Sequence, residues 1–256
     1  MSGDRYYRVE TGAGAAWAIR EGDALRLLGG APWERPSATG ESLAFAAARL
    51  LAPATPSKIV AVGRNYADHA KERGKPVPTE PLLFLKPPSA VVGPGEPIRL
   101  PGWAGRVEHE AELAVVIGRE ARDLPGPERA MEHVFAATAA NDVTARELQE
   151  RDVQFTRAKG FDSFCPVGPC LATGLDLARL RVLCRVNGEL RQDGRTADMM
   201  FPVAQVVFAV SRVMTLLPGD IICTGTPAGV SPLRPGDEVE VEVEGVGVLR
   251  NPVVSR

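Results

Sequence analysis

The sequence predicts an α+β fold dominated by strands, and three observations carry that expectation. Six runs rich in Val, Ile and Leu are bounded by Gly or Pro: "SKIVAVG", "PLLFLKP", "ELAVVIG", "LRVLCRVNGEL", "DIICTGTP" and "DEVEVEVEGVGVLRNPV". Such runs read as strands ended by turns. Helical spacing is confined to "NYADHAKERG", "PERAMEHVFAAT" and "MFPVAQVVFAVSRVM". Strands and helices do not alternate regularly, which disfavours a doubly wound parallel sheet.

In chain order, "YYRVETGAGAAWAIREGDALRL" alternates polar and apolar residues around glycine-rich turns, as half-buried antiparallel strands do. "GESLAFAAARLL" reads as one or two helical turns. The proline-rich "LAPATPSKIVAVG" then opens a new apolar strand. The chain is therefore expected to divide near Pro53 into a small N-terminal accessory β unit, 1–52, and a main unit, 53–256. Near the end, Glu238, Glu240, Glu242 and Glu244 fall on one register, as the solvated face of a one-sided sheet requires. "PGD" occurs at Pro218–Asp220 and Pro235–Asp237 without repeated flanks, so no internal duplication is inferred.

A chain of 256 residues, 45% hydrophobic and 24% charged, can bury a sizeable core. Its net charge of −2 gives no electrostatic footprint for nucleic acid or an anionic membrane. No apolar run reaches the roughly 18 residues that cross a bilayer. "MSGDRYYRVE" lacks the charged-then-apolar pattern of a secretion signal, so a cytoplasmic protein is expected. Cys165, Cys170, Cys184 and Cys223 form no C-x-x-C pair and sit near no histidine cluster. Buried free thiols are expected, not a zinc or disulfide framework.

The stretch richest in chemistry is "VEHEAELAVV", residues 107–116. Side chains at i and i+2 of a strand share a face, about 6.5–7 Å apart, so Glu110 and Glu112 point together. His109, Ala111, Leu113, Val115 and Ile117 take the other register. Carboxylates entering a buried strand need a compensating cation or donor. One reading is oxygen ligation of magnesium, manganese or calcium. The other is an exposed edge strand with solvated glutamates. Asp142, in "AANDVTARELQERD", reads either as a third carboxylate or as the N-cap of the helix that follows.

Other pieces are weaker alone. His69 and Glu72 lie three apart, on one face if the segment is helical, and a carboxylate beside imidazole orients a general base. Such pairs are also common on surfaces. Lys86 and Lys159 stand isolated among apolar and small residues, where a lysine either meets an anion or snorkels to solvent. "CTGTPAGV" is a strand-to-loop transition whose Gly225 and Thr226 could cradle a carboxylate. Neither a P-loop nor a G-x-S-x-G elbow occurs, which argues against nucleotide phosphate binding of that type and against a usual α/β serine hydrolase.

Six blocks resemble the fumarylacetoacetate hydrolase superfamily in its own order: "VGRNYADHAKE", "PLLFLKPPSAVVGPGEPI", "HEAELAVVIG", "ANDVTARELQERDVQFTRAKGFDSFCPVGP", "VNGELRQDGRTADMMF" and "LLPGDIICTGTPAGVSPLRPGDEVEVEVEGVG". They cover most of residues 58 to 250, and the first ~50 residues look like the small accessory domain of bacterial members. The resemblance implies a mixed β-roll or β-sandwich-like core and a homodimer. It implies a divalent metal, magnesium first and manganese second, held by Glu110, Glu112 and Asp142. It places His69 and Glu72 on a lid that activates water or shuttles a proton. Lys86, Arg146, Gln149, Lys159 and Thr226 would contact the oxo-acid group, with the Gly225 backbone beside them. Lys159 would add positive charge where negative charge develops. One departure is Arg195, where smaller polar residues are usual.

The implied chemistry passes through an enolate of a 2-oxo acid, stabilised by the metal. The first expectation is an isomerase or decarboxylase of 2-oxo or 2-hydroxy-dienoic dicarboxylic acids from aromatic (homoprotocatechuate, 4-hydroxyphenylacetate) degradation. The alternative is hydrolysis of acylpyruvates or fumarylpyruvate, with oxaloacetate decarboxylation alongside. A metal-stabilised binding protein without turnover is the alternative of another class. The retained His69, Glu72 and Lys159 argue against it, since binding alone needs no base.

Overall fold

All six predicted apolar runs form strands in the computed structural model, which describes residues 3–256. The first two residues of the expected accessory unit lie outside that range. The long sheet follows the order Ala38–Ala44, Ala24–Leu28, Gly14–Glu21, Arg5–Thr11, Cys165–Ala172, Val134–Asn141, Ala111–Ile117, Ile221–Cys223, Ile59–Gly63, Leu82–Lys86. A smaller sheet runs Glu189–Arg195, Arg181–Val186, Glu238–Val243, Gly247–Ser255, Ile98–Leu100. Pairing is mainly antiparallel, with Ile221–Cys223 and Ile59–Gly63 parallel at the site end of the long sheet.

The strand Ala111–Ile117 is buried on both faces. Leu113, Val115 and Ile117 share a core with Val182, Cys184, Val239, Val241 and Leu249 of the smaller sheet, so the sheets pack as layers. Ala114 and Val116 face a second core with Ala136, Ala140, Ile221 and Cys223, flanked by Trp17 and Trp33. Neighbouring strands pair with it on both edges. The exposed-edge reading of its glutamates is therefore wrong.

Two further expectations are corrected. "PERAMEHVFAAT" is helical only as the short 3-10 segment Pro127–His133, after which Val134–Asn141 is a strand. Its alanines are good helix formers, but ladders on both sides and two facing layers require small side chains there. "GESLAFAAARLL" supplies the strand Ala38–Ala44, a single 3-10 turn at Phe45–Ala47 and the short strand Leu50–Leu51. Ala24–Leu28 offers it a sheet edge, with Leu25 opposite Leu43.

Other readings hold. Glu238, Glu240 and Glu242 lie on the wetter face of their strand and pair with Arg250 and Arg185. All four cysteines are buried and free. The N-terminal strands continue the long sheet through Arg5 opposite Ala172 and Tyr6 opposite Leu171. The helices are α1 (Ala67–Glu72), α2 (Arg146–Arg151), α3 (Thr156–Lys159) and α4 (Val203–Ser211). In α4, Val203, Val206, Val207 and Val210 form one buried stripe. No helix among the described residues is long and apolar enough to cross a membrane.

The two "PGD" segments are the same turn built twice. Asp220 N–H donates to Leu217 O while Leu217 N–H donates to the Asp220 carboxylate; Asp237 and Arg234 do likewise. Gly219 and Gly236 take φ of +91° and +97°, which only glycine adopts readily. Asp220 is also fully buried, accepting from Ser57 N at 2.9 Å, Ser57 Oγ at 2.7 Å and Lys58 N at 3.1 Å, and pairing with the Lys58 ammonium. It ties the start of Ile59–Gly63 to the start of Ile221–Cys223, the parallel pair beside the site. Asp220→Ala is expected to lower the unfolding free energy in urea by roughly 3 kcal/mol, through orphaned buried donors. A loss under about 0.5 kcal/mol, typical of a neutral surface change, would contradict this role.

Candidate active site

The N-terminal end of Ala111–Ile117 meets the C-terminal ends of Val134–Asn141, Ile221–Cys223 and Ile59–Gly63. Side chains from four chain segments therefore converge at one end of the sheet. Oxygen atoms of Glu110, Glu112 and Asp142 lie within 4.8 Å of one another, all buried. Asp142 is not an N-cap: α2 begins four residues later and its N-cap is Ala145. Its N–H instead donates to Glu110 O at 2.8 Å, which locks the two acids together.

Neither lysine snorkels. Lys86 Nζ lies 2.6 Å from one Asp142 oxygen. Lys159 Nζ lies 2.5 Å from the other, 2.8 Å from Glu110 Oε2 and 2.8 Å from Thr144 Oγ1. Arg146 binds Glu108 through Nε, Glu110 through its second terminal nitrogen and Gln149 Oε1 at 2.9 Å. Arg146 and Gln149, one turn apart on α2, thus reach the cluster together.

The buried charges do not balance. Four carboxylates (Glu108, Glu110, Glu112, Asp142) face three cations (Lys86, Arg146, Lys159), all at most 4% exposed, and Glu108 also meets the more exposed Arg106 at 3.1 Å and Arg73 at 4.0 Å. The surplus falls on Glu112, which accepts only from Gly225 N–H at 2.7 Å. Burial, then Asp142 and Glu110, pushes the Glu112 carboxyl well above the usual carboxylate range. Burial also raises Glu110, but Arg146 and Lys159 outweigh it and hold that carboxyl well below. Among the described residues, two buried polar atoms, Tyr66 Oη and Asn141 Nδ2, find no hydrogen-bond partner. Asn141 adjoins Asp142, and its Oδ1 accepts from Glu110 N–H at 3.0 Å. A buried triad of carboxylate oxygens, one of them without a cation of its own, fits a hard divalent cation.

His69 lies on α1, 6% exposed, between Glu72 and the cluster. Its Nδ1 is 3.2 Å from Glu72 and its Nε2 is 4.0 Å from Glu110. Donation from Nδ1 to Glu72 leaves the Nε2 lone pair facing the acids. Burial lowers the pKa of His69, partly offset by Glu110, so the ring is neutral near pH 7. Glu72 stands behind His69, and its other oxygen accepts from Gly229 N–H at 3.0 Å, pinning α1 to the loop after Thr226.

A cavity of about 240 Å³ opens onto His69, Glu110, Asp142, Arg146, Lys159 and Thr226, with Gln149 also on its wall. The structure brings these predicted residues together. Lys86, Glu72 and Gly225 stand beside these residues as supports, and Glu112 completes the acid triad with Glu110 and Asp142. Gly225 takes φ +99°, and a Cβ there would lie 2.7 Å from Asn65 Cβ, so only glycine fits beneath Glu112. Arg195 lies away from the cavity, with Arg181, Glu242 and Glu244.

Sequence reasoning missed Gln192, Asn65 and Glu108. Gln192 Oε1 accepts from Ala111 N–H at 2.9 Å and lies 2.9 Å from His109 Nδ1; its Nε2 donates to Thr226 Oγ1 at 2.7 Å. It aligns the start of the acid strand with Thr226. His109 is neutral, pushed down to about 4 by burial. A lone glutamine in a strand carries no local signal of such a role. Glu108 did carry one, since it shares the register of Glu110 and Glu112.

The fumarylacetoacetate (FAA) hydrolase C-terminal family matches residues 58–254, and the Rv2993c-like N-terminal family matches residues 4–53. Protein Rv2993c of Mycobacterium tuberculosis is 45% identical over 262 aligned positions, covering 98% of each chain. The human mitochondrial oxaloacetate tautomerase FAHD2A is 45% identical over 217 positions, covering 80% of this chain and 69% of that one. The crystal structure of 2-hydroxyhepta-2,4-diene-1,7-dioate isomerase from Mycobacterium marinum superimposes with a TM-score of 0.92 at 45% identity, over 99% of each chain. A family match across most of the chain, with relatives this similar along their whole length, means that the chain belongs to the fumarylacetoacetate hydrolase family.

Proposed function

We propose that this protein is a divalent-metal-dependent enzyme that forms and uses the enolate of a 2-oxo or 2-hydroxy-dienoic dicarboxylic acid. Isomerisation or decarboxylation is the first reaction assigned to it. The observation that carries this reading is the buried triad of Glu110, Glu112 and Asp142 beside the His69 imidazole, at one open cavity. Glu110, Glu112 and Asp142 would hold the metal, magnesium or manganese by the hardness of their oxygens. When bound, a divalent cation would supply Lewis acidity toward the 2-oxo oxygen and make the cluster more positive.

His69 Nε2 is the group placed to take or return a proton at the carbon beside the oxo group. Glu72 fixes the tautomer that makes this happen and is a positioning residue. Lys159, Arg146 and Gln149 line the wall where the anionic head group would lie, and Thr226, whose hydroxyl accepts from Gln192 and donates to Ala111 O at 2.8 Å, shapes that wall. Keto–enol tautomerisation of oxaloacetate is the second reading, favoured by the relatives that carry that name. It needs the same proton transfer and no bond cleavage. A homodimer acting in the cytoplasm is the proposed setting.

Two measurements test these roles. Turnover of acetylpyruvate, fumarylpyruvate, oxaloacetate and 2-hydroxyhepta-2,4-diene-1,7-dioate is followed with Mg2+ and with chelator. One substrate is expected to stand out, with chelator lowering its rate about a hundredfold or more. Glu112→Gln should weaken Mg2+ binding on the order of 10–100-fold by calorimetry. Undiminished turnover in chelator would sink the metal reading. Separately, His69→Gln should cut kcat by about 10²–10⁴ while metal still binds, and Glu72→Gln should cut it less. A larger loss from Glu72→Gln would reverse the order of these two roles.

A further inference from the structure

The cavity wall carries more positive charge than the acid cluster consumes. Arg146 and Lys159 are matched to Glu108, Glu110 and Asp142, and Arg73 to Glu150 at 3.1 Å. Arg64 and Lys75 also line the cavity. Among the described residues, no carboxylate lies within 4.0 Å of either side chain's nitrogens. They flank α1 in sequence, one just before it and one just after.

Arg64 is held in place at some cost. Its φ of +56° lies in the left-handed region, which a non-glycine side chain enters for about 1 kcal/mol or more. The next residue clamps the turn: Asn65 Nδ2 donates to Thr224 O at 2.7 Å and Phe201 O at 3.0 Å, and Asn65 Oδ1 accepts from Phe201 N–H at 2.8 Å. Asn65 also presses against Gly225, directly under Glu112. The position of Arg64 is thereby fixed relative to the acid cluster. One guanidinium N–H donates to Pro76 O at 3.0 Å, and a planar fork with its remaining donors suits a carboxylate. The same cavity also has apolar lining, from Phe84, Phe155 and Val153.

We propose that Arg64, assisted by Lys75, binds the carboxylate at the far end of the substrate, making the site selective for 2-oxo dicarboxylates over 2-oxo monocarboxylates. The apolar wall carries the carbon chain between the two charged ends. This inference rests on the 2-oxo acid reading above and assigns its substrate selectivity to named residues.

The test is calorimetric and needs no turnover. Mg2+-loaded protein is titrated with 2-oxoglutarate, 2-oxoadipate and 2-oxopimelate, and with the 2-oxo monocarboxylate of each length. At least one dicarboxylate should bind about 30-fold more tightly than its monocarboxylate, the size of effect a charged hydrogen-bonded pair supplies. Arg64→Gln should shrink that ratio about tenfold, and Lys75→Gln by a smaller factor. Lys75→Gln lies outside the strained turn, so it reports even if Arg64→Gln disturbs folding. Equal affinities for both series, or a ratio unchanged in both variants, overturns the proposal alone. Binding of neither series overturns the 2-oxo acid reading as well.

Discussion

Four buried carboxylates share space with only three buried cations, and most of the site's construction follows from that imbalance. Removing charge from water is costly unless partners compensate it, so each acid is braced from behind. Lys86 and Lys159 hold the two oxygens of Asp142. Arg146 spans Glu108 and Glu110. Glu112 receives only a backbone donor, and that donor exists because Gly225 can approach where a side chain could not. A structure optimised for stability alone has no use for this arrangement. A cluster one positive charge short serves a protein that acquires a cation.

The scaffold meets this demand by placing the acids where two layers already exclude water. Ala111–Ile117 is central, apolar on both faces and paired on both edges. The cluster sits at its open end, where four segments converge. Asp220, at the far end of the neighbouring parallel pair, fixes the strands whose other ends carry Asn65 and Gly225. Gln192 performs the same service from the smaller sheet, binding His109, Ala111 and Thr226 into one network.

Alternation put Glu110 and Glu112 on one face, but Asp142, His69, Glu72 and Thr226 joined them only through the family resemblance, because an N-cap, a surface pair and an ordinary loop give the same local patterns. The sequence left edge and centre undecided for Ala111–Ile117, since both give the same alternating glutamates. It also hid two central strands. "VFAATAAN" is alanine-rich, and "CPVGPCLA" carries Pro166, Gly168 and Pro169, residues that argue against an inner strand. Their neighbours, not their own propensities, decide their conformation. Gln192 and Arg64 were invisible for a related reason: their meaning lies in residues distant along the chain.

A cation held by the cluster would make it more positive, and an anionic ligand would read this change. The most direct measurement is calorimetric titration of oxalate, a compact dianion, into metal-free and into Mg2+-loaded protein. Oxalate is expected to bind at least about tenfold more tightly with metal, with an equal gain in Mg2+ affinity when oxalate is present, as reciprocal linkage requires. Equal oxalate affinity with and without Mg2+ would contradict this reading.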